Sequence, residues 1–324
     1  MAPSIYFYLP DKVPADMPLS PEVYWPEYIH YMRGGVYAWI VQTFQRLRAA
    51  GFPCELTDRV PAQGILVAHR KSLPRDFIPP EKLLFVCVRA DATFHPFAHL
   101  HVVENRRSLS HWYRAVHIPH WPQPWLLPRD PVRGDRWENA CFIGEKACIS
   151  QEMQDGAWEA TLRELELSWQ TPGLEKWHDY READVVVAVR SFDGQRYPHK
   201  PASKLFNAWH AGVPAVLGRE SAYQAERRSE LDYLEVGSLA EVVAALRKLK
   251  ADPALRRAMS ANGRERAKES APAVITARWR EFFETVAIPT HDAWHQTAPS
   301  KHRFLRWNGW LKTKAQDWRE RLGP

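Results

Sequence analysis

Five side chains suited to phosphate chemistry crowd one short stretch. Arg190 follows the apolar run 184–189 (DVVVAV), and His199, Lys200, Ser203 and Lys204 flank the start of the next helical segment. The run is continuous rather than alternating, as in a parallel strand buried on both faces. The helix stops at Gly212, and another apolar strand, 213–217 (VPAVL), begins at once. In an open parallel sheet, ligands bind beyond the carboxyl ends of strands. Unpaired N–H groups at a helix start carry partial positive charge. A serine and two lysines around such a start, with Arg190 beside it, suit a diphosphate. Singly, each residue has a plainer reading. Lys200 and Lys204 are also explained as solvated charges, Ser203 as a helix cap, and Gly212 with Pro214 by helix termination and strand entry. The combination at one strand end carries the expectation. Asn207, a poor helix former in mid-helix, joins the set.

Two further spots repeat the pattern. Gly144 and Lys146 follow the strand-like 139–143 (NACFI), where a glycine and a cation suit a phosphate or form a plain turn. Gly218 is followed by Arg219, Ser221 and Tyr223, candidates to touch a base or sugar. In the first half, Gly34-Gly35 opens a helix, and Gly35 lets the backbone approach phosphate or sugar, or simply makes a tight turn.

These residues need elements to hold them. The first half reads as strands 4–9, 64–68, 83–88, 99–103 and 115–118, and a helix to Ala50. That helix has Val36, Trp39, Ile40, Phe44 and Leu47 at helical spacing and Gly51 closing it. Between strand one and the helix lies a long aromatic loop with Tyr24, Trp25, Tyr28 and Tyr31. Prolines 119, 122, 124, 128 and 131 mark 119–135 as a linker, which also carries Trp121 and Trp125. The second half alternates strands (139–143, 184–189, 213–217) with helices (158–167, 204–211, 239–250, 253–267). Right-handed crossovers then give a parallel sheet. The expected architecture is α/β with two Rossmann-like domains facing a cleft: an acceptor domain over 1–135, a nucleotide-binding domain over 136–287, and a tail over 288–324.

Charge and cysteine usage exclude several classes. The net charge is +6, but seven basic residues in 301–321 meet only Asp317 and Glu320, so the excess lies in the tail. That argues against a nucleic-acid-binding body. Cys54, Cys87, Cys141 and Cys148 form no C-x-x-C pair, so neither a zinc site nor a disulfide framework is expected. No apolar run reaches spanning length and no signal-peptide pattern opens the chain, so a cytoplasmic protein is expected. In the tail, Phe304, Trp307, Trp310, Leu311, Lys314, Trp318 and Leu322 recur at three- and four-residue steps. This is a basic aromatic helix that either packs back on the first domain or contacts a membrane peripherally.

The stretch from Asp184 to Gly218 resembles the donor site of GT-B glycosyltransferases. There a helix, then Ala-x-Gly-x-Pro, then a strand form the nucleotide-sugar site. Many members place two acidic residues around that helix; here His199 and Asn207 stand at those positions, with Asn207 five before Gly212. The resemblance implies glycosyl transfer from a nucleotide-sugar, a substrate rather than a cofactor, to a glycan or lipid-linked acceptor. It implies donor contacts from Gly144 and Lys146 as well. No D-x-D occurs, so metal independence is expected, with Arg190, Lys200, Lys204 and the helix start neutralising the leaving phosphate. A catalytic base would come from the first domain: Asp91 or His30 foremost, with His69, Glu104 and Glu27 as further candidates. Asp91 also reads as a turn residue or cap. His95, His99, His101, His111, His117 and His120 do not match a ligand set, so no metal is assigned. Two competing functions remain on this architecture, a nucleotide-sugar epimerase and a non-catalytic nucleotide-sugar- or glycan-binding protein.

Overall fold

A computed structural model describes residues 2–10, 20–22, 35–109, 113–296 and 299–322, except the side chains of 301, 304, 305, 316, 317 and 319–322. By its internal contacts the chain divides into two units. One is Pro119–Val274; the other joins Met1–Ile118 to Ile275–Pro324.

The discontinuous unit holds a six-stranded, all-parallel sheet. Its strands are β1 (Ile5–Tyr8), β2 (Glu55–Thr57), β3 (Gln63–His69), β4 (Lys82–Val88), β5 (Leu100–Val103) and β6 (Ala115–His117), in the order β2-β1-β3-β4-β5-β6. β3 and β4 pair over seven residues and are buried except at their first positions, which is why both read as apolar runs. A π-helical turn (Tyr37–Val41) leads into α1 (Gln42–Ala49). The described connections between β3 and β6 contain no α-helix. The loop after β3 instead covers one face with Leu73 and Phe77, packed on Leu66 and Phe85. The opposite side of β1 is closed by aromatic rings from far along the chain: Phe7 meets Trp279 and Phe283 edge-on.

The contiguous unit is a five-stranded parallel sheet of β7 (Asn139–Cys141), β8 (Ser168–Gln170), β9 (Val185–Ala188), β10 (Ala215–Gly218) and β11 (Leu234–Val236), ordered β11-β10-β9-β7-β8. Its helices are α2 (Gly156–Glu164), α3 (Ser203–Ala211), α4 (Ser221–Glu226), α5 (Leu239–Ala251) and α6 (Pro253–Ala267). Start signals are local. Asp155 caps α2 by accepting from Trp158 N at 3.0 Å, and Ser238 caps α5 by accepting from Glu241 N at 3.2 Å. Gly212 ends α3 in the left-handed region, at φ +67°.

The proline-rich segment 119–135 sits in this second unit, not the first. Its backbone is tied there: Leu127 N donates to His178 O, and Tyr180 N returns a bond to Leu127 O. The fully buried carboxylate of Asp184 accepts from Arg129 (2.8 Å) and Arg133 (2.7 Å), and from the N–H groups of Glu138 and Asn139. The remaining helices are α7 (Pro272–Phe282), α8 (Ile288–His295) and α9 (Pro299–Leu322). From Ile275 onward the chain belongs to the first unit, earlier than the expected boundary after 287. Trp279, Phe282 and Phe283 account for this, since they complete the aromatic cluster with Phe7.

Candidate functional site

In each sheet the chain starts on an inner strand, pairs its second strand on one side, and continues on the other. The order therefore reverses between β7 and β9 in the contiguous unit, and between β1 and β3 in the other. A crevice opens beyond the carboxyl ends at such a reversal, the usual ligand position in this architecture.

At the β7/β9 reversal stand Gly144, three residues past β7, and Arg190, two past β9. Lys204, on the first turn of α3, reaches across to them. Its Nζ lies 4.8 Å from the Phe142 ring centroid, and a Cβ on Gly144 would stand 2.9 Å from it. Gly144 has φ +149°, a backbone that favours glycine, and a Cβ there would push the flexible Lys204 end aside. Among the described residues no carboxylate makes an ion pair with Lys204. Burial pushes its pKa down to about 8, and the Arg190 charge acts in the same sense. Ser203 opens the helix; the cap position is Ala202, which offers no side-chain oxygen to the first-turn N–H groups. These groups and the ammonium form a positive pocket at one helix start.

Arg190 is held by a carboxylate. Its Nε donates to Glu220 Oε2 at 3.0 Å, with the two side chains 12% and 3% exposed. Burial, the largest single influence, opposes the Arg190 charge, but Glu220 together with Tyr223 and Cys148 raises the guanidinium pKa. Burial likewise raises Glu220, with Arg190 opposing. The pair borders a pocket of about 140 Å³ lined also by Tyr197, Gly218, Arg219 and Gly237.

Of the other expected residues, Lys200 lies close enough for its charge to bear on Lys204 and Glu220. His199 is half-buried in the loop before α3. Lys146 is exposed in a 3-10 turn, with no side-chain contact to the set. Asn207 points elsewhere: its Oδ1 accepts from Gln123 N at 2.9 Å, and its side chain bonds the buried Tyr180 hydroxyl. Its α3 position serves the linker.

At the β1/β3 reversal of the other unit, His69 ends β3 and is 1% exposed. Its Nδ1 accepts from Lys71 N at 3.2 Å, which leaves the proton on Nε2. Burial first, then the Lys71 charge, push its pKa down to about 4. Among the described residues Nε2 has no hydrogen-bond partner, and it lies 3.8 Å from where a Cβ of Gly35 (φ +78°) would be. Asp91 is exposed on a turn after β4, near enough for its charge to act on His69. His30 lies outside the described residues, as do Glu27 and the loop aromatics Tyr24, Trp25, Tyr28 and Tyr31. The histidines around β5 tie loops together. His95 N donates to His101 Nε2, and Phe85 N to His99 Nδ1. Among the described residues no group of three His, Cys, Asp or Glu is placed to hold a metal ion.

Residues 130–283 match the family model described as Glycosyl transferase-like. The whole fold aligns with Anabaena Alr3699/HepE, solved in complex with UDP, at TM-score 0.50 and 11% identity, over 87% of this chain and 100% of that one. The fold is that of the GT-B glycosyltransferases, and residues 130–283 resemble the glycosyl transferase-like family. Its two sheets are the Rossmann-like domains of that fold. Other similar structures are a sucrose-phosphate synthase from Thermosynechococcus elongatus (TM-score 0.48, 13% identity, 85% of this chain and 80% of that one) and AviGT4, a glycosyltransferase involved in avilamycin A biosynthesis (0.48, 13%, 88% and 97%). No curated protein matches the chain in sequence.

Three residues beside this candidate site escaped the sequence reading: Phe142, Tyr197 and Glu220. Phe142 carried a usable signal, an aromatic residue two before the turn glycine. Glu220 did not, because its value depends on Arg190, thirty positions away.

Proposed function

We propose that this protein is a metal-independent glycosyltransferase that binds a nucleoside-diphosphate sugar at the β7/β9 crevice. The observation that carries the reading is Lys204. Its ammonium, with no carboxylate ion pair among the described residues, is poised over Phe142 against a glycine, at a helix start and beside Arg190. A structural lysine would pair with a carboxylate or extend into solvent. A diphosphate supplies what this one lacks.

Glycosyl transfer runs through an oxocarbenium-like state while the nucleotide phosphate departs. Lys204, Arg190, Lys200 and the first-turn N–H groups of α3 stabilise that departing charge, and they are in place before the reaction. Arg190 stays charged because Glu220 holds it. Gly144 keeps the phosphate path free of a Cβ. The acceptor, a glycan or lipid-linked sugar, is bound by the first unit. There Nε2–H of His69 donates to an acceptor oxygen. Asp91 and His30 stay the candidates for taking the acceptor proton.

The test is a thermal-shift series with UDP, GDP, ADP, TDP and CMP in EDTA, on wild type and Lys204→Ala. UDP comes first because Anabaena HepE was solved with it. A ligand at a hundred times its Kd stabilises the folded state by about 2.7 kcal/mol. The expected result is one nucleotide that raises Tm without metal, a shift the variant loses. No shift with any nucleotide at millimolar concentration overturns the reading, and a shift that needs added metal overturns its metal-independent part.

A further inference from the structure

We propose that α9 is an interfacial helix that lays its outer face on an anionic membrane surface. The proposal does not depend on the donor site. One face of α9 is already used. A Cβ on Gly309 would run into the Phe97 ring, so the helix sits flush on the loop before β5. Lys312 Nζ lies 4.6 Å over the Tyr113 ring, Arg75 donates to Thr313 O, and the His302 ring contacts Trp294.

The opposite face carries Trp307, Trp310, Leu311 and Trp318, exposed by 57%, 51%, 38% and 66%. At 3.6 residues per turn these four fall within an arc of about 100°, away from Gly309, Lys312 and Thr313. Arg303 and Lys314, both exposed, fall on the same arc, and Lys314 Nζ is 5.7 Å from the Trp310 ring. Three half-exposed indoles in one stripe are more apolar surface than a solvated helix normally shows.

The chemistry selects the occupant. Indoles with an apolar body and an N–H settle at headgroup depth, and cations beside them are drawn to anionic lipid. A second copy of the chain fits less well. A two-fold contact through this stripe would place Arg303 and Lys314 of both copies, four cations, in one interface. No helix among the described residues is long and apolar enough to cross a membrane, so α9 lies on the surface rather than through it.

The experiment is co-sedimentation of the full chain with phosphatidylcholine vesicles, with and without phosphatidylglycerol. Wild type is expected to sediment with the anionic vesicles alone and to be released by high salt. Trp307→Ser/Trp310→Ser/Trp318→Ser stays in the supernatant and keeps its fold by circular dichroism, because all three indoles are more than half exposed. Arg303→Glu/Lys314→Glu binds at least about tenfold more weakly. Wild type remaining in solution, binding neutral vesicles equally, or sedimenting as well after the tryptophans are removed overturns the proposal. A dimer in light scattering that the triple variant abolishes, without vesicle binding, assigns the face to a second copy instead.

Discussion

Lys204 Nζ stands 4.8 Å from the centroid of the Phe142 ring, and Gly144 leaves the space beside it open. The Gly144→Ala variant closes that space. Its methyl would meet Nζ at 2.9 Å and Cε at 3.3 Å, from a backbone at φ +149°. The lysine end is flexible, so it moves aside and the protein still folds, at a strain of about 1–3 kcal/mol. Nucleotide affinity measured by calorimetry is expected to fall about tenfold. Affinity equal to wild type would remove Gly144 and the posture of Lys204 from the site.

The same lysine sets a pH dependence with two opposite signs. Its pKa in the folded chain is about 8, pushed down by burial and by Arg190, against the ordinary lysine value of 10.5. A phosphate binds the protonated form, so donor affinity is highest below about 8 and declines above it. Stability of the ligand-free protein moves the other way. Between about 8 and 10.5 the unfolded chain holds more protons at this position, so the Lys204 contribution rises with pH. Titrating Kd and Tm over pH 7–10 on wild type and Lys204→Met separates the two. The variant should flatten the Kd curve, and a wild-type curve that is already flat contradicts the assignment.

Arg190 and Glu220 stabilise each other inside the fold. In Arg190→Ala the Glu220 carboxylate, 3% exposed, loses its cation. The expected cost is about 3–5 kcal/mol in urea denaturation, since a buried charge is left uncompensated. Adding Glu220→Gln removes that charge and recovers most of the loss. Nucleotide binding stays lost in the double variant, because the guanidinium is still missing. If the second substitution recovers no stability, the pair is not what holds this corner together.

Asn207 separates the position from the role. Its carboxamide serves Gln123 N and the Tyr180 hydroxyl, so Asn207→Ala should destabilise by about 1–3 kcal/mol through unsatisfied buried groups. Nucleotide affinity should remain within about twofold of wild type, relative to unmutated protein at the same temperature. A tenfold loss in affinity would return Asn207 to the donor site.

The inner strands were legible because they are buried on both faces. Residues 83–88 and 184–189 read as continuous apolar runs and became β4 and β9. Of the four edge strands, β6 alone was read, at 115–118. β2 (Glu-Leu-Thr) and β8 (Ser-Trp-Gln) have three residues each and face water, so neither shows apolar alternation. The placement of Arg190, Ser203, Lys204 and Gly144 at one crevice followed from strand ends alone, because βα units put those ends together. Asn207 kept its helix position but took one partner 84 residues away in sequence, Gln123, and another in Tyr180, which no local pattern encodes. The reach of 119–135 was hidden for a similar reason. Proline composition marks it as irregular, while Asp184, which holds Arg129 and Arg133, decides where it docks.

The route of the chain also orders its biogenesis. Pro119–Val274 is an uninterrupted stretch, whereas the sheet begun by β1 needs Trp279 and Phe283 against Phe7 to finish its core. On the ribosome the first unit is therefore synthesised first and completed last. Its nascent strands wait, with Phe7 uncovered, until the downstream unit has emerged. Such long-range closure slows folding and prolongs the exposure of apolar surface to chaperones. Release of the chain before α7 would leave a folded downstream unit joined to an unfinished upstream one.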